Sequence, residues 1–258
     1  MMEETITSRR NPLLAHTKKL LTSRAYREKS GEFAADGVKL LAEAARWYPG
    51  LHTVIAAEHV ELCKLSDTVR VVRVPRDVMQ SVSLMDAPQG AIFLCRLPER
   101  KPGTILPGTL LLDGIQDPGN LGTILRLSDW FGVRHVFCDH DCANIFNPKS
   151  VQASMGAIFR VNVFYLDLVE FIPQFVDQNF PCYGAFLEGE NIYRTELRTK
   201  GFIVMGNEGN GISPEIERFV TRKITIPSFA HSPYSTESLN VGVATGIILS
   251  EFKRIEYK

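Results

Sequence analysis

Five polar side chains stand where a fold has little structural use for them: Asn120, Arg126, Glu208, Ser238 and Asn240. Their types suggest a division of labour. A guanidinium grips a phosphate or a developing oxyanion, while a carboxylate, a hydroxyl and two amides orient partners and steer a hydroxyl proton. Arg126 falls off the apolar face that Leu121, Ile124, Leu125 and Phe131 give their helix, and looks back toward the loop before it. Its plain alternative is an ion pair with Asp129 at i+3. Pro118 and Gly119 read as a turn and Asn120 as the helix cap. Glu208 lies inside GFIVMGNEGNGIS (201–213), whose glycines at 206, 209 and 211 allow close approach of main chain to a ligand. The order is G-x-x-G-x-G, so neither the dinucleotide fingerprint nor a P-loop is present. Ser238 and Asn240 precede a helix marked by Val241, Ala244, Thr245, Ile248, Leu249 and Phe252, and capping accounts for one of them but not both.

The elements that must carry these loops are legible as apolar runs: TLLLDG, VRHVFC, VNVFY, CYGAF, GFIVMG and KITIP, with helices between them. Continuous apolar strands alternating with helices predict a mostly parallel sheet covered on both faces, with ligands bound beyond the carboxyl ends of its strands. The N-terminal part predicts a smaller α/β unit, with helical spacing over 13–21 and 38–47 and strands over 52–58 and 68–74. LPERKPGTILPG breaks the periodicity. The expected domains are therefore 1–98, a linker over 99–107, and 108–258.

Charge divides along the same line. The net charge is zero, yet residues 1–105 hold sixteen Lys and Arg against twelve Asp and Glu, and the remainder thirteen against seventeen. Arg9, Arg10, Lys18, Lys19, Arg24 and Arg27 cluster in one basic run, which is either a solvated helical face or a surface for a phosphate backbone. No apolar run approaches the roughly 20 residues needed to span a bilayer and no signal peptide is read, so the expected location is cytoplasmic. The five cysteines are odd in number and scattered through strand-like runs, which suits reduced core thiols. HVFCDHDC (135–142) places two His and two Cys together, but without the split spacing of a zinc site, and no metal is expected.

In order along the chain, the three loops resemble the three motifs of the SpoU family of RNA ribose 2′-O-methyltransferases. Asn120, Gly122 and Arg126 match the first. Gly206, Asn207, Glu208, Gly209 and Gly211 match the second, and Ile226, Pro227, Glu237, Ser238, Leu239, Asn240 and Val241 the third. Residues 144–161 resemble the family's linking segment, and 10–47 the ribosomal-protein-like RNA-binding domain that many members carry. The resemblance implies a deep trefoil knot in the C-terminal domain, a homodimer with the active site near the subunit interface, and S-adenosylmethionine as cofactor. It implies cofactor contacts from Leu187, Gly206, Asn207, Gly209, Gly211, Ile226, Pro227 and Leu239. It makes Asn120, Arg126, Glu208, Ser238 and Asn240 the reaction centre, and ribosomal rather than transfer RNA the substrate. A non-catalytic dimeric RNA-binding module is the alternative. One departure is the nine-residue stretch SFAHSPYST between Pro227 and Glu237, longer than the family pattern, which would reshape the cofactor loop; the extra length reads as a surface bulge, with contact of His231 and Tyr234 to substrate as the alternative.

Overall fold

A computed structural model describes residues 3–99, 109–176, 180–230 and 237–256. Two compact units divide the chain: Met1–Glu99 with Phe146–Phe159, and Arg100–Ile145 with Arg160–Lys258. The first comprises β1 (Glu3–Thr5), α1 (Pro12–Thr22), α2 (Arg24–Ser30), β2 (Glu32–Asp36), α3 (Val38–Trp47), β3 (Leu51–Ala57), β4 (Arg70–Val74), α4 (Arg76–Val82) and β5 (Ala91–Arg96). Its five-stranded sheet has the order β1-β4-β3-β5-β2, parallel through β1, β4 and β3 and antiparallel through β5 to β2. Leu14, Leu20 and Leu21 of α1 and Val78, Met79 and Val82 of α4 pack on it with Ile55, Val72 and Ile92. The sequence boundary is corrected at one place: residues 146–159 join this unit although they lie far along the chain. Aromatic packing explains it, since Phe146 lies 4.6 Å from Phe33, and Phe159 stands 5.3 Å from Tyr48, centroid to centroid.

The second unit follows with β6 (Thr109–Leu112), α5 (Pro118–Trp130) and β7 (His135–Cys138); α6 (Pro148–Ser154) belongs to the first unit; then come β8 (Asn162–Tyr165), α7 (Leu168–Phe171), β9 (Cys182–Asn191), β10 (Phe202–Met205), α8 (Pro214–Glu217), β11 (Arg222–Thr225) and α9 (Val241–Glu256). The six strands form one wholly parallel sheet in the order β11-β9-β10-β6-β7-β8. Leu110, Leu111, Phe202, Ile203 and Val204 have next to no exposure, as strands covered on both faces require. One face carries a phenylalanine-rich layer with Phe137, Phe164, Phe171 and Phe202 beside Ile216 of α8. Helices α5 and α9 pack together, and Phe252 of α9 meets Tyr183 of β9 edge-on at 5.0 Å.

Asp36, where β2 ends, is buried in the first unit. Ser83 donates to its Oδ2, and the Gln152 side chain donates to its main-chain carbonyl. Its Oδ1 is buried without a partner among the described residues. Burial raises its pKa and the Ser83 hydrogen bond only partly opposes that. A raised folded pKa means stability is full below the ordinary Asp range and is lost as pH climbs through the raised value. Asp36→Asn is expected to raise the thermal midpoint relative to wild type at pH 8, by the equivalent of about 1 kcal/mol. The margin should shrink toward pH 4 in differential scanning calorimetry.

Candidate active site

The three loops meet beyond the carboxyl ends of β6 and β10. Asn120 Nδ2 donates to Glu208 Oε1 at 2.7 Å, and Asn240 Nδ2 donates to Asn120 Oδ1 at 2.9 Å. Asn240 Oδ1 accepts the main-chain N–H groups of Gly242 and Val243 in the first turn of α9. The polarity of this chain is thereby fixed. Helix N–H groups can meet only the oxygen of Asn240, so its NH2 must face Asn120, and the NH2 of Asn120 must face the carboxylate.

Local sequence explains how Asn120 becomes available. The structure corrects the expectation that Asn120 caps α5: Asp117 is the cap, its Oδ1 accepting Asn120 N at 2.7 Å, and Pro118 is the first helical residue. Pro118 and Gly119 are thus helix rather than turn. With a neighbour capping the helix, the Asn120 amide reaches across to two other loops.

The glycine turn is built on Asn207. Its main chain exchanges two 2.9 Å hydrogen bonds with Gly211, its Oδ1 accepts Gly209 N and Asn210 N, and its Nδ2 donates to the Gly114 carbonyl at 2.7 Å. Those N–H groups are consumed inside the turn, whereas the carbonyls of Glu208, Gly209 and Asn210 have no partner among the described residues. The turn therefore presents acceptors. Gly206 is obligatory, because a Cβ there would lie 2.3 Å from the main chain of both Gly211 and Ile212. Gly211 needs glycine for its φ of +71°.

Arg126 and Ser238 are exposed, and neither is joined to the Asn120–Glu208–Asn240 chain. The expected alternative for Arg126 is not taken: Asp129 pairs with Arg160 at 2.8 Å, and Arg126 has no ion pair among the described residues. Leu187 lies in a bulged stretch of β9, and its carbonyl accepts Thr225 Oγ1 at 2.9 Å. Leu187, Phe229 and Leu239 are exposed apolar side chains at 72%, 76% and 48% of their full surface, and Ile226 and Pro227 are half-buried. His231 and Tyr234 lie outside the described residues.

In the first unit Arg9 pairs with Asp77 and Arg24 with Glu28, all exposed; Arg10 is also exposed. Lys19 lies over the Tyr26 ring and Lys18 reaches the Ser81 carbonyl. Arg27 is a correction. It is buried, its Nη1 donates to the Leu20 carbonyl at 2.8 Å near the end of α1, and burial lowers its pKa. It is a structural tie between α1 and α2 and cannot reach a phosphate.

Asp113 and Asp139 lie outside the motifs that the sequence marks. Asp113 Oδ2 accepts Ser213 N at 2.6 Å, just past the glycine turn, and Asp139 Oδ1 accepts Gly114 N and Cys142 N. The signal available was an aspartate directly following each of two apolar runs, TLLL and HVFC. Cys142 of the His/Cys cluster is engaged structurally: its Sγ donates to the Leu112 carbonyl and accepts from Ile115 N. All five cysteines are free thiols. No helix among the described residues is long and apolar enough to cross a membrane.

A parallel sheet with an acceptor-lined glycine turn and a carboxylate–amide chain beside it belongs here to an S-adenosylmethionine-dependent RNA methyltransferase. Residues 107–250 match the SpoU rRNA methylase family, and residues 11–92 match the MRM3-like substrate binding domain. The chain belongs to the SpoU rRNA methylase family. Among curated relatives it is 28% identical to the 23S rRNA (guanosine(2553)-2′-O)-methyltransferase RlmP of Bacillus subtilis, over 95% of this chain and 97% of that one. A solved structure assigned to the TrmH family of RNA methyltransferases, from Porphyromonas gingivalis, superposes with a TM-score of 0.83 at 38% identity, covering 94% of this chain and 97% of that one. The SpoU methyltransferase AviRb of Streptomyces viridochromogenes, solved with AdoMet, shares the fold at a TM-score of 0.81 and 23% identity over 96% and 99% of the two chains.

The residues fit the cofactor on their own chemistry. A cationic sulfonium favours bare carbonyls over N–H groups, and bare carbonyls are what the glycine turn presents. Gly206→Ala is expected to weaken S-adenosylmethionine binding at least a hundredfold by calorimetry, because the displaced partner is main chain. Circular dichroism should show the fold retained.

Proposed function

We propose that this chain methylates a ribose 2′-hydroxyl of ribosomal RNA, and that the three-loop hydrogen-bonded chain is the observation that carries the reading. S-adenosylmethionine, held by the 206–211 turn with Leu187, Ile226, Pro227 and Leu239, supplies an electrophilic methyl group. In-line transfer needs the hydroxyl oxygen about 3–3.5 Å from that methyl and a path for its proton. Glu208 uses Oε1 to hold Asn120, which leaves Oε2 to take the proton directly or through water. Ser238 steers the hydroxyl. Arg126 is a poor base, since a guanidinium stays protonated, and its role is to hold the phosphate beside the target ribose and stabilise the oxygen as it becomes negative.

The first unit is the substrate-binding part, and Arg9, Arg10, Lys18, Lys19 and Arg24 are its contacts to the RNA backbone. Ribosomal RNA is favoured over transfer RNA by the substrate-binding domain match and by the ribosomal target in the name of the Bacillus relative. The linker over 99–107 separates the two functions. The knot is supported by the return of the C-terminal α9 onto α5, the first helix of its unit, instead of onward from the edge strand β11.

A homodimer is supported by an apolar groove along α5 and α9, lined by Thr123, Leu127, Phe131, Val243, Gly246 and Ile247. Trp130 beside it is 83% exposed, which a soluble surface rarely leaves uncovered. Because Thr123 lines that groove and Arg126 follows three residues later on α5, pairing of two copies there brings Arg126 to a subunit boundary.

Two measurements test the reading. Arg126→Ala should lower methyl transfer to ribosomal RNA by at least a thousandfold while changing cofactor affinity less than about threefold; full activity in that variant removes the assignment. Val243→Arg should convert a dimer to a monomer in sedimentation and abolish transfer with it. A wild-type protein that sediments as a monomer at working concentration overturns the dimer.

A further inference from the structure

Most cations in the basic run of α1 and α2 find partners within the fold. Arg9 pairs with Asp77 and Arg24 with Glu28, Lys18 reaches the Ser81 carbonyl, and Arg27 is buried. Helix α3, which carries no such run, is arranged differently. Its buried line is Leu40, Leu41 and Ala44. At about 3.6 residues per turn, Lys39, Ala42 and Arg46 fall on the opposite side, and all three are exposed. Neither Lys39 nor Arg46 has an ion pair or a hydrogen-bonded side-chain partner among the described residues.

Trp47 lies on the flank between these two sides. It is the last helical residue of α3 and keeps 47% of its surface exposed. The guanidinium carbon of Arg46 stands 4.9 Å from the centre of its indole. The support beneath the pair is fixed. Tyr48, the next residue, packs its ring against Phe159 at 5.3 Å and donates its hydroxyl to the Arg96 carbonyl at 2.8 Å. One turn before Trp47, Glu43 is pressed by the Met155–Gly156 turn, since a Cβ on Gly156 would lie 2.8 Å from Glu43 Cγ. Met155 is a second large apolar side chain left exposed there.

An indole that carries a guanidinium and is otherwise open to solvent matches the needs of an unpaired base. Every base has a π-face to stack, arginine adds a cation–π contribution, and cations on the same helix meet the phosphates of the strand. A duplex fits less well, because its bases are already stacked on one another. Two copies of this chain paired through the same patch would set Lys39 and Arg46 of each against those of the other. We propose that Trp47 and Arg46 form a stacking platform for an unpaired base of the RNA substrate, with Lys39 on the phosphate backbone beside it. The first unit then takes a single-stranded or looped segment rather than a duplex.

This inference rests on the reading of the first unit as the substrate-binding part, and the experiment separates the two. Full-length protein is titrated with transcribed ribosomal RNA, with a short RNA single strand of mixed sequence, and with that strand annealed to its complement. Trp47→Leu keeps apolar packing but removes the π-face, and should weaken binding of ribosomal RNA about tenfold, whereas Trp47→Phe should stay within about threefold of wild type. The chain has two tryptophans, Trp47 and Trp130. The single strand should quench wild-type tryptophan fluorescence, the duplex should not, and the quenching should vanish in Trp47→Phe. Lys39→Gln should reduce the salt slope of single-strand binding by about 0.7, the share of one phosphate, while Trp47→Leu leaves that slope unchanged. S-adenosylmethionine affinity should be the same in every variant. Equal RNA affinity of the leucine and phenylalanine variants means that the indole only closes the core, and overturns the proposal. Quenching that persists in Trp47→Phe overturns it too, as does an altered sedimentation of free Trp47→Leu, which would make the patch a contact between copies. Arg10→Gln/Lys19→Gln tells the two failures apart: weakened RNA binding there with none in Trp47→Leu removes the platform alone, and unchanged binding in both removes the reading of the first unit as well.

Discussion

The site depends on one asparagine that is free to face two ways. Asn120 gives its amide protons to Glu208 and its oxygen to Asn240, joining loops 88 and 120 residues away in sequence. A primary amide offers a donor and an acceptor side by side in one plane without charge, so neither aspartate nor alanine can replace it without leaving a partner unmet. An aspartate would set a second carboxylate against Glu208. The direction of the chain is imposed from outside by the N-terminal N–H groups of α9, which bind only the oxygen of Asn240. A helix terminus thus decides which atom of a carboxylate, two loops away, remains available.

That arrangement is possible because other residues do the routine structural work. Asp117 caps α5 in place of Asn120, and Asn207 satisfies the interior N–H groups of the glycine turn. Beneath them the aspartates at the ends of β6 and β7 tie both ends of that turn to the sheet. The sheet itself is wholly parallel, so its carboxyl ends lie on one edge and every loop that matters emerges there. The stack runs from apolar strands, through a polar floor, to an acceptor-lined turn, and only then to exposed chemistry. Each layer restricts the freedom of the one above it, which is how loop residues come to be held as firmly as catalysis asks.

Much of this was legible in the sequence, for identifiable reasons. The six strands of the second unit announce themselves because burial on both faces makes them continuously apolar. The AIFLC of β5 is as continuous an apolar run as theirs, whereas β2, EFAAD, gave no such warning: its partner β5 lies far along the chain, so no local rule selects it. The short β1 is three residues long and owes its existence to β4. Asn120, Glu208 and Asn240 were found as candidates, but their mutual hydrogen bonds were not, since contacts across 88 and 120 residues leave no periodicity. Arg27 was misread for the opposite reason. A basic run looks uniform in sequence, whereas the angle between α1 and α2 turns one member inward to meet the Leu20 carbonyl. Residues 146–159 strayed from the drawn boundary because aromatic packing, not chain order, decides which core they join.

The remaining feature is a cation with no ion pair among the described residues. An arginine three residues before an aspartate on a helix ordinarily finds it, and Arg126 and Asp129 have that spacing. Here Asp129 is claimed by Arg160, whose Nε and Nη2 both bond its Oδ2, at 2.9 and 2.8 Å. A two-pronged pair at about three-quarters burial outcompetes a single exposed contact, both in geometry and in the side-chain entropy already spent on holding Arg160. The consequence is chemical. A guanidinium saturated by a carboxylate has little field left for a phosphate or an alkoxide, while an unpaired one retains all five donors for whichever anion arrives. Arg160 thus takes the aspartate whose helical spacing would otherwise suit Arg126.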